Sequence, residues 1–125
     1  NNTFTVGHEA RKAFQTGDKS AIGRFKRAMG SDKKFGIQKE SFSATELSAV
    51  VLKELKKISE NSIGNIATAV ITVPANFSHE ARIATMDAAK IAGLTVQNII
   101  DEPTAAALYY AFKSGEQVNG TFAVW

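Results

Sequence analysis

Asp101 and Glu102 stand side by side in "IIDEPTAAALYYA", residues 99–111, between an apolar pair and a proline. A proline at 103 pushes the residue before it out of helical geometry toward an extended one. Glu102 therefore reads as the N-cap of a following helix, held by a strand behind and a proline ahead. A carboxylate fixed in that way can orient water or a hydrated metal ion near a phosphate. Simple capping is the other reading, since an acid at a helix N-terminus stabilises by about 0.3–1 kcal/mol. Residue chemistry alone leaves the two open. Asp101 reads as structural or merely exposed.

The remaining candidates are few. His8 and His79 are far apart in the chain and read as surface histidines. No serine or histidine sits in a nucleophile-elbow context, and neither GxxxxGK[ST] nor GxGxxG occurs. There is no cysteine, which excludes disulfides, thiolate metal sites and a cysteine nucleophile. Residues 1–40 hold nine Lys/Arg against four acids, a net of +5, so the rest carries −2 of the overall +3. A basic first third suits phosphates, on a nucleotide or a nucleic acid. Most of these cations read as a solvated helix surface.

These residues need elements to position them. A chain of 125 residues, 44% hydrophobic, can bury a real core. "HEARKAFQTGDKSAIGRFKRAMG" predicts two short helices, with Asp18 as an N-cap between them and Gly30 as a stop. "SDKKFGIQKESF" reads as a loop or a short hairpin. "SATE" at 43–46 is a capping box, with Ser43 at the N-cap and Glu46 three residues on. Leu47, Val50, Val51, Leu55 and Ile58 then repeat at helical spacing and read as core, the helix ending near "NSIGN".

From Ala67 the pattern changes. "TAVITVP" is β-branched, apolar on both faces and ended by Pro74, which suits a buried central strand. "SHEARIATMDAAKIAGL" is a helix with Ser78 as N-cap and Gly93 as stop, its alanines suited to lying close on a sheet. "LTVQNII" is a second strand, "EPTAAALYYAFKSG" a second helix, and "GTFAVW" a third strand. The fold class is α/β: β-α-β-α-β with parallel strands and right-handed crossovers. Ligands of such sheets bind beyond the carboxyl ends of the strands, where Pro74, Asp101 and Glu102 collect.

"AVITVPANFSHEARIATMDAAKIAGLTVQNIIDEPTAAAL" resembles the Hsp70 (DnaK) chaperone family. The family's "TVPAYF" is similar to "TVPANF" at 72–77, and its "R-x-A-T-x-x-A-x-x-x-A-G-L" helix is matched from Arg82 to Leu94. Its "EPTAAA" is matched at 102–107. Upstream, "FTVGHEARKAF" resembles the family's "VGxxA", "RFKRAMG" its "AKRLIG", and "FSATELSAVVLKELK" its "FxPEExSxxVLxxLK".

The resemblance implies a first-lobe piece of an actin-like (ribonuclease H-like) ATPase domain. Residues 1–43 would belong to the smaller helical subdomain and 44–125 to the larger α/β one. It implies ATP or ADP and Mg²⁺ as ligands of the complete domain, and polypeptide binding and release as the work driven. It also implies unfolded clients, a J-domain co-chaperone and a nucleotide-exchange factor as partners, with no nucleic acid or membrane. Carried over residue by residue, Lys26 matches the family's catalytic lysine and Glu102 the glutamate contacting the Mg²⁺ water shell. Pro74 matches a proline that switches between nucleotide states, and Arg82 the arginine that relays the switch.

The sequence departs from the family's pattern at Asn76, where an aromatic residue is usual, and at "DEP", usually "NEP". The 30–42 region is short, as in a divergent bacterial-type member. A first phosphate loop is expected before Asn1 and a second, "DLGGGT", after Trp125. The chain by itself is therefore expected to lack ATPase activity. A stress-response role and a cytoplasmic location are expected. The alternatives are another actin-like protein, such as a sugar kinase or filament protein, and more remotely a non-enzymatic nucleic-acid-binding module.

Overall fold

The computed structural model describes residues 3–115, 119–121 and 123–124. Helix α1 spans His8–Gln15, and a single 3-10 turn follows at Phe25–Ala28. Strands β1 (Lys34–Ile37) and β2 (Glu40–Ser43) form an antiparallel hairpin, Lys34 opposite Ser43 and Ile37 opposite Glu40. Of the two readings of this region, the hairpin is the one the chain adopts. Helix α2 (Ala44–Ile63) leads to strand β3 (Thr68–Val73), helix α3 (His79–Ile91), strand β4 (Thr95–Asp101) and helix α4 (Glu102–Ser114).

The capping box forms as its residues dictate. The Ser43 N–H donates to Glu46 Oε2 at 2.7 Å, and the Glu46 N–H donates to Ser43 Oγ at 3.1 Å. Ser78 caps α3 by accepting from the Ala81 N–H at 3.1 Å. At the other end of α3, Gly93 adopts φ +79°, and the Leu94 N–H returns to the Ala89 carbonyl at 2.9 Å. That six-residue closure needs a left-handed residue, which glycine supplies at least cost.

β3 and β4 pair in parallel around α3, from Thr68 opposite Thr95 to Val73 opposite Asp101. The register slips between Ala69 and Val70, leaving Gln97 of β4 unmatched. The core runs along the α2–α3 contact and is built largely of alanine. Ala28, Met29, Ala44, Ala81 and Ala84 form one buried cluster, with Phe35 and Phe77 packed on it. Ala49, Ala88, Ala89 and Ala92 are buried too, and among the described residues Val73 is the largest fully buried side chain.

Several expectations are corrected. The first segment holds one α-helix rather than two, because six residues between Gly23 and Gly30 are too few to repay helix nucleation. Asp18 starts no helix; its carboxylate accepts from the Ser20 N–H and hydroxyl in a turn. The α2 stripe is buried only at its start: Leu47 is buried, Val50 and Val51 are half-buried, and Leu55 and Ile58 are more than half exposed. β3 alternates along its length, with Val70 exposed, because among the described residues the sheet has two strands. In the third expected strand, Gly120, Thr121, Ala123 and Val124 form none, while Phe122 and Trp125 lie outside the described residues. α3 packs more extensively on α2 than on β4.

Candidate functional site

Lys26 is carried by the 3-10 turn. Arg24 enters that turn in the left-handed region, φ +60°, and Gly30 leaves it at φ +78°. Ala28 and Met29 are buried beneath α2, and Met29 Sδ accepts from the Ser48 hydroxyl at 3.3 Å. Gly30 rests on the start of α3 so closely that a Cβ there would lie 2.6 Å from the Ala81 nitrogen. One end of the turn is thereby pinned to α2 and α3, and the lysine points outward.

Glu102 is delivered by β4. The strand ends at Asp101, which takes the N-cap position with φ −71° and ψ 141°, so Glu102 is the first helical residue rather than the cap. Pro103 follows in the first turn, where its missing N–H costs nothing. The residue before proline is disfavoured in the helical region but not barred from it, and here β4 supplies the extended residue one place earlier.

The two side chains meet. Lys26 Nζ donates to Glu102 Oε1 at 2.5 Å, across a separation of 76 residues. The ammonium is 55% and the carboxylate 45% exposed, so water and anions reach both. A pair this exposed contributes only about 0–1 kcal/mol, and opening it costs correspondingly little.

A second ion pair lies beside the first. Arg82 Nη2 donates to Asp101 Oδ1 at 2.7 Å. The same guanidinium donates to the carbonyls of Ala75 and Phe77, each at 3.4 Å. Pro74, half-buried, opens the turn that these carbonyls belong to, and the Phe77 N–H donates back to the Pro74 carbonyl at 3.1 Å. Pro74 and Arg82 are thus linked to the end of β4 through Asp101. Sequence reasoning left Asp101 without a partner. The signal for one was an acid closing a strand, 19 residues after an arginine at the start of the preceding helix.

The donor set bears on a metal. Among the described residues no group of three or more His, Cys, Asp or Glu could hold one. A lone, accessible carboxylate beside an ammonium fits contact with a hydrated cation through water, not direct coordination. His8 and His79 are both exposed. A groove of about 970 Å³ between α1, the hairpin and α2 is lined by Phe4, Phe14, Phe25 and Phe42 and touches none of Lys26, Pro74, Arg82 or Glu102. Arg11, Arg24 and Lys39 also line it.

Residues 31–124 match the family described as Hsp70 protein. The chain is 44% identical over 114 residues to the chaperone protein DnaK of Elusimicrobium minutum, covering 90% of this chain and 18% of that one. It is 45% identical over 106 residues to the chaperone protein DnaK of Endomicrobium trichonymphae, covering 84% of this chain and 17% of that one. With the chaperone protein DnaK of Mesomycoplasma hyopneumoniae the identity is 44% over 118 residues, covering 94% of this chain and 20% of that one. The chain spans about a fifth of the length of these relatives. A family match across most of the chain, and DnaK chaperones sharing over two-fifths of its residues, mean that it belongs to the Hsp70 family.

Proposed function

We propose that this chain forms part of an actin-like, ribonuclease H-like ATPase domain, to whose hydrolysis of ATP it contributes Lys26 and Glu102. Residues 1–43 would lie in the smaller helical subdomain and 44–125 in the larger α/β one, its sheet extended beyond β3 and β4. The observation that carries this is the Lys26–Glu102 pair. An ammonium and a carboxylate from distant parts of the chain converge at the carboxyl end of a parallel strand, the place where open α/β sheets take ligands.

Phosphoryl transfer depends mostly on positioning and charge compensation. Lys26 is a compact point charge that can compensate an anionic terminal phosphate and hold an attacking water. Glu102 is a single fixed carboxylate that accepts hydrogen bonds from the water shell of a cation. Mg²⁺, when bound with the nucleotide, would supply further charge neutralisation. Each group partners the other, so both are aimed at one point. Pro74 and Arg82 would carry the change of nucleotide state away from the site. Polypeptide clients, a J-domain co-chaperone and a nucleotide-exchange factor would be partners of the whole protein, in the cytoplasm; no described helix is long and apolar enough to cross a membrane.

The test is single-turnover hydrolysis in an Hsp70 ATPase domain carrying this segment. Lys26→Ala and Glu102→Gln should each slow hydrolysis by about 10²-fold, the usual loss when one positioned electrostatic group is removed. Nucleotide affinity should change far less. Unaltered hydrolysis in both variants would overturn the assignment.

A further inference from the structure

Lys26 owes its direction to the 3-10 turn at Phe25–Ala28, and that turn holds itself weakly. The Arg27 N–H donates to the Arg24 carbonyl and the Met29 N–H to the Lys26 carbonyl, each at 3.3 Å, longer than a well-made amide bond. The turn therefore depends on what grips it from outside. Gly30 is seated on α3, and Ala28 and Met29 are buried. A buried methionine is by itself a loose grip, because its unbranched, freely rotating chain can refill the same space in several ways. Ser48 of α2 removes that freedom. A serine inside a helix commonly returns its proton to the carbonyl four residues earlier. The half-buried Ser48 hydroxyl donates instead to Met29 Sδ at 3.3 Å. Thioether sulfur is a weak acceptor, but the bond selects the one arrangement of the methionine that brings its sulfur to Ser48.

We propose that Ser48 is a positioning residue for Lys26: by fixing the thioether of Met29 it fixes the end of the 3-10 turn, whose last backbone bond is made to the Lys26 carbonyl, and so holds the ammonium toward Glu102. This rests on the role given above to Lys26, and concerns what sets that ammonium's place. Ser48 acts through Met29, not on the ligand. If Met29 only filled space, an apolar side chain of similar volume there would leave Lys26 where it is.

The first measurement needs no nucleotide. NMR of the chain should show nuclear Overhauser contacts between the Lys26 and Glu102 side chains, and Ser48→Ala should weaken them. Met29→Leu, which keeps the volume and removes the sulfur, should weaken them alike. With Met29→Leu in place, Ser48→Ala should add nothing, since the bond it breaks is already absent. The second measurement is single-turnover hydrolysis in an Hsp70 ATPase domain carrying this segment. Each substitution should slow the chemical step by about two- to fivefold, as for loss of one weak hydrogen bond, and should leave nucleotide affinity unchanged. If Ser48→Ala fails to fold, Met29→Leu carries both measurements. Undiminished Lys26–Glu102 contacts, losses that add in the double variant, or nucleotide affinity falling together with the rate would overturn the proposal. Its failure is separable from that of the ATPase role: the contacts in the chain judge Ser48, and hydrolysis by Lys26→Ala judges Lys26.

Discussion

A methyl group at Gly30 would meet the backbone of α3 and would also have to adopt φ +78°. The left-handed conformation alone costs a non-glycine residue about 1–2 kcal/mol. The contact adds to that, because a Cβ at 2.6 Å from the Ala81 nitrogen and 2.8 Å from the Glu80 carbonyl carbon can be relieved only by moving backbone. Gly17 makes the comparison clean, since it has φ +81° and nothing within 4 Å of a built Cβ. Gly30→Ala should therefore destabilise the chain more than Gly17→Ala in urea melts, and should also displace Lys26 from Glu102. Equal losses at the two sites would mean that the turn is not seated on α3. The role of Gly30 as a stop was legible from its place after an apolar stretch; its partner 51 residues on was not. Lys26 and Glu102 show the same limit. No periodicity registers a contact across 76 residues, and only the resemblance to a family put them at one site.

At the scale of elements, α2 tests how much a local motif is worth. Ser43→Ala removes the acceptor for the Glu46 N–H and should cost about 1 kcal/mol, with a matching fall in the chain's melting temperature. The motif also has a pH signature. The Ser43 backbone N–H, followed by its hydroxyl, holds the Glu46 carboxyl below its ordinary pKa. A carboxyl lowered on folding adds stability that is fully present above its unfolded pKa and is lost as pH falls through the folded one. Melting temperature should thus decline in the acid range below the ordinary glutamate pKa, and Glu46→Gln should flatten part of that decline. A Glu46→Gln profile superimposable on wild type would remove the carboxylate from the cap. The helices and strands from Ser43 to Gly115 were legible because each carries its own punctuation, at Ser43, Pro74, Ser78, Gly93 and Pro103. The 3-10 turn was not, since "GRFKRAMG" has the composition of a helix and only its length argues against one.

At the scale of the molecule, the distribution of apolar surface is the informative feature. Leu55, Ile58 and Ile63 of α2, Val70 of β3, and Leu108 and Phe112 of α4 are all exposed, Phe112 at 86%. Their spacing marks them as core residues, and the sequence reading placed the α2 stripe and β3 inside. Pattern identifies the face that seeks cover; it carries no information about which part of a larger protein supplies it. The chain spans about a fifth of its relatives, and we read these faces as contact surfaces within the complete ATPase domain. Patches of this kind on a free chain bind hydrophobic dye and drive association. The chain alone should therefore enhance the fluorescence of such a dye and should self-associate with rising concentration. Leu108→Lys with Phe112→Lys should weaken both effects. Because the two side chains are already in water, each change should alter folding stability by no more than about 0.5 kcal/mol. A large drop in melting temperature would place this face of α4 inside a core that the chain completes for itself, and the surface would then be no interface at all.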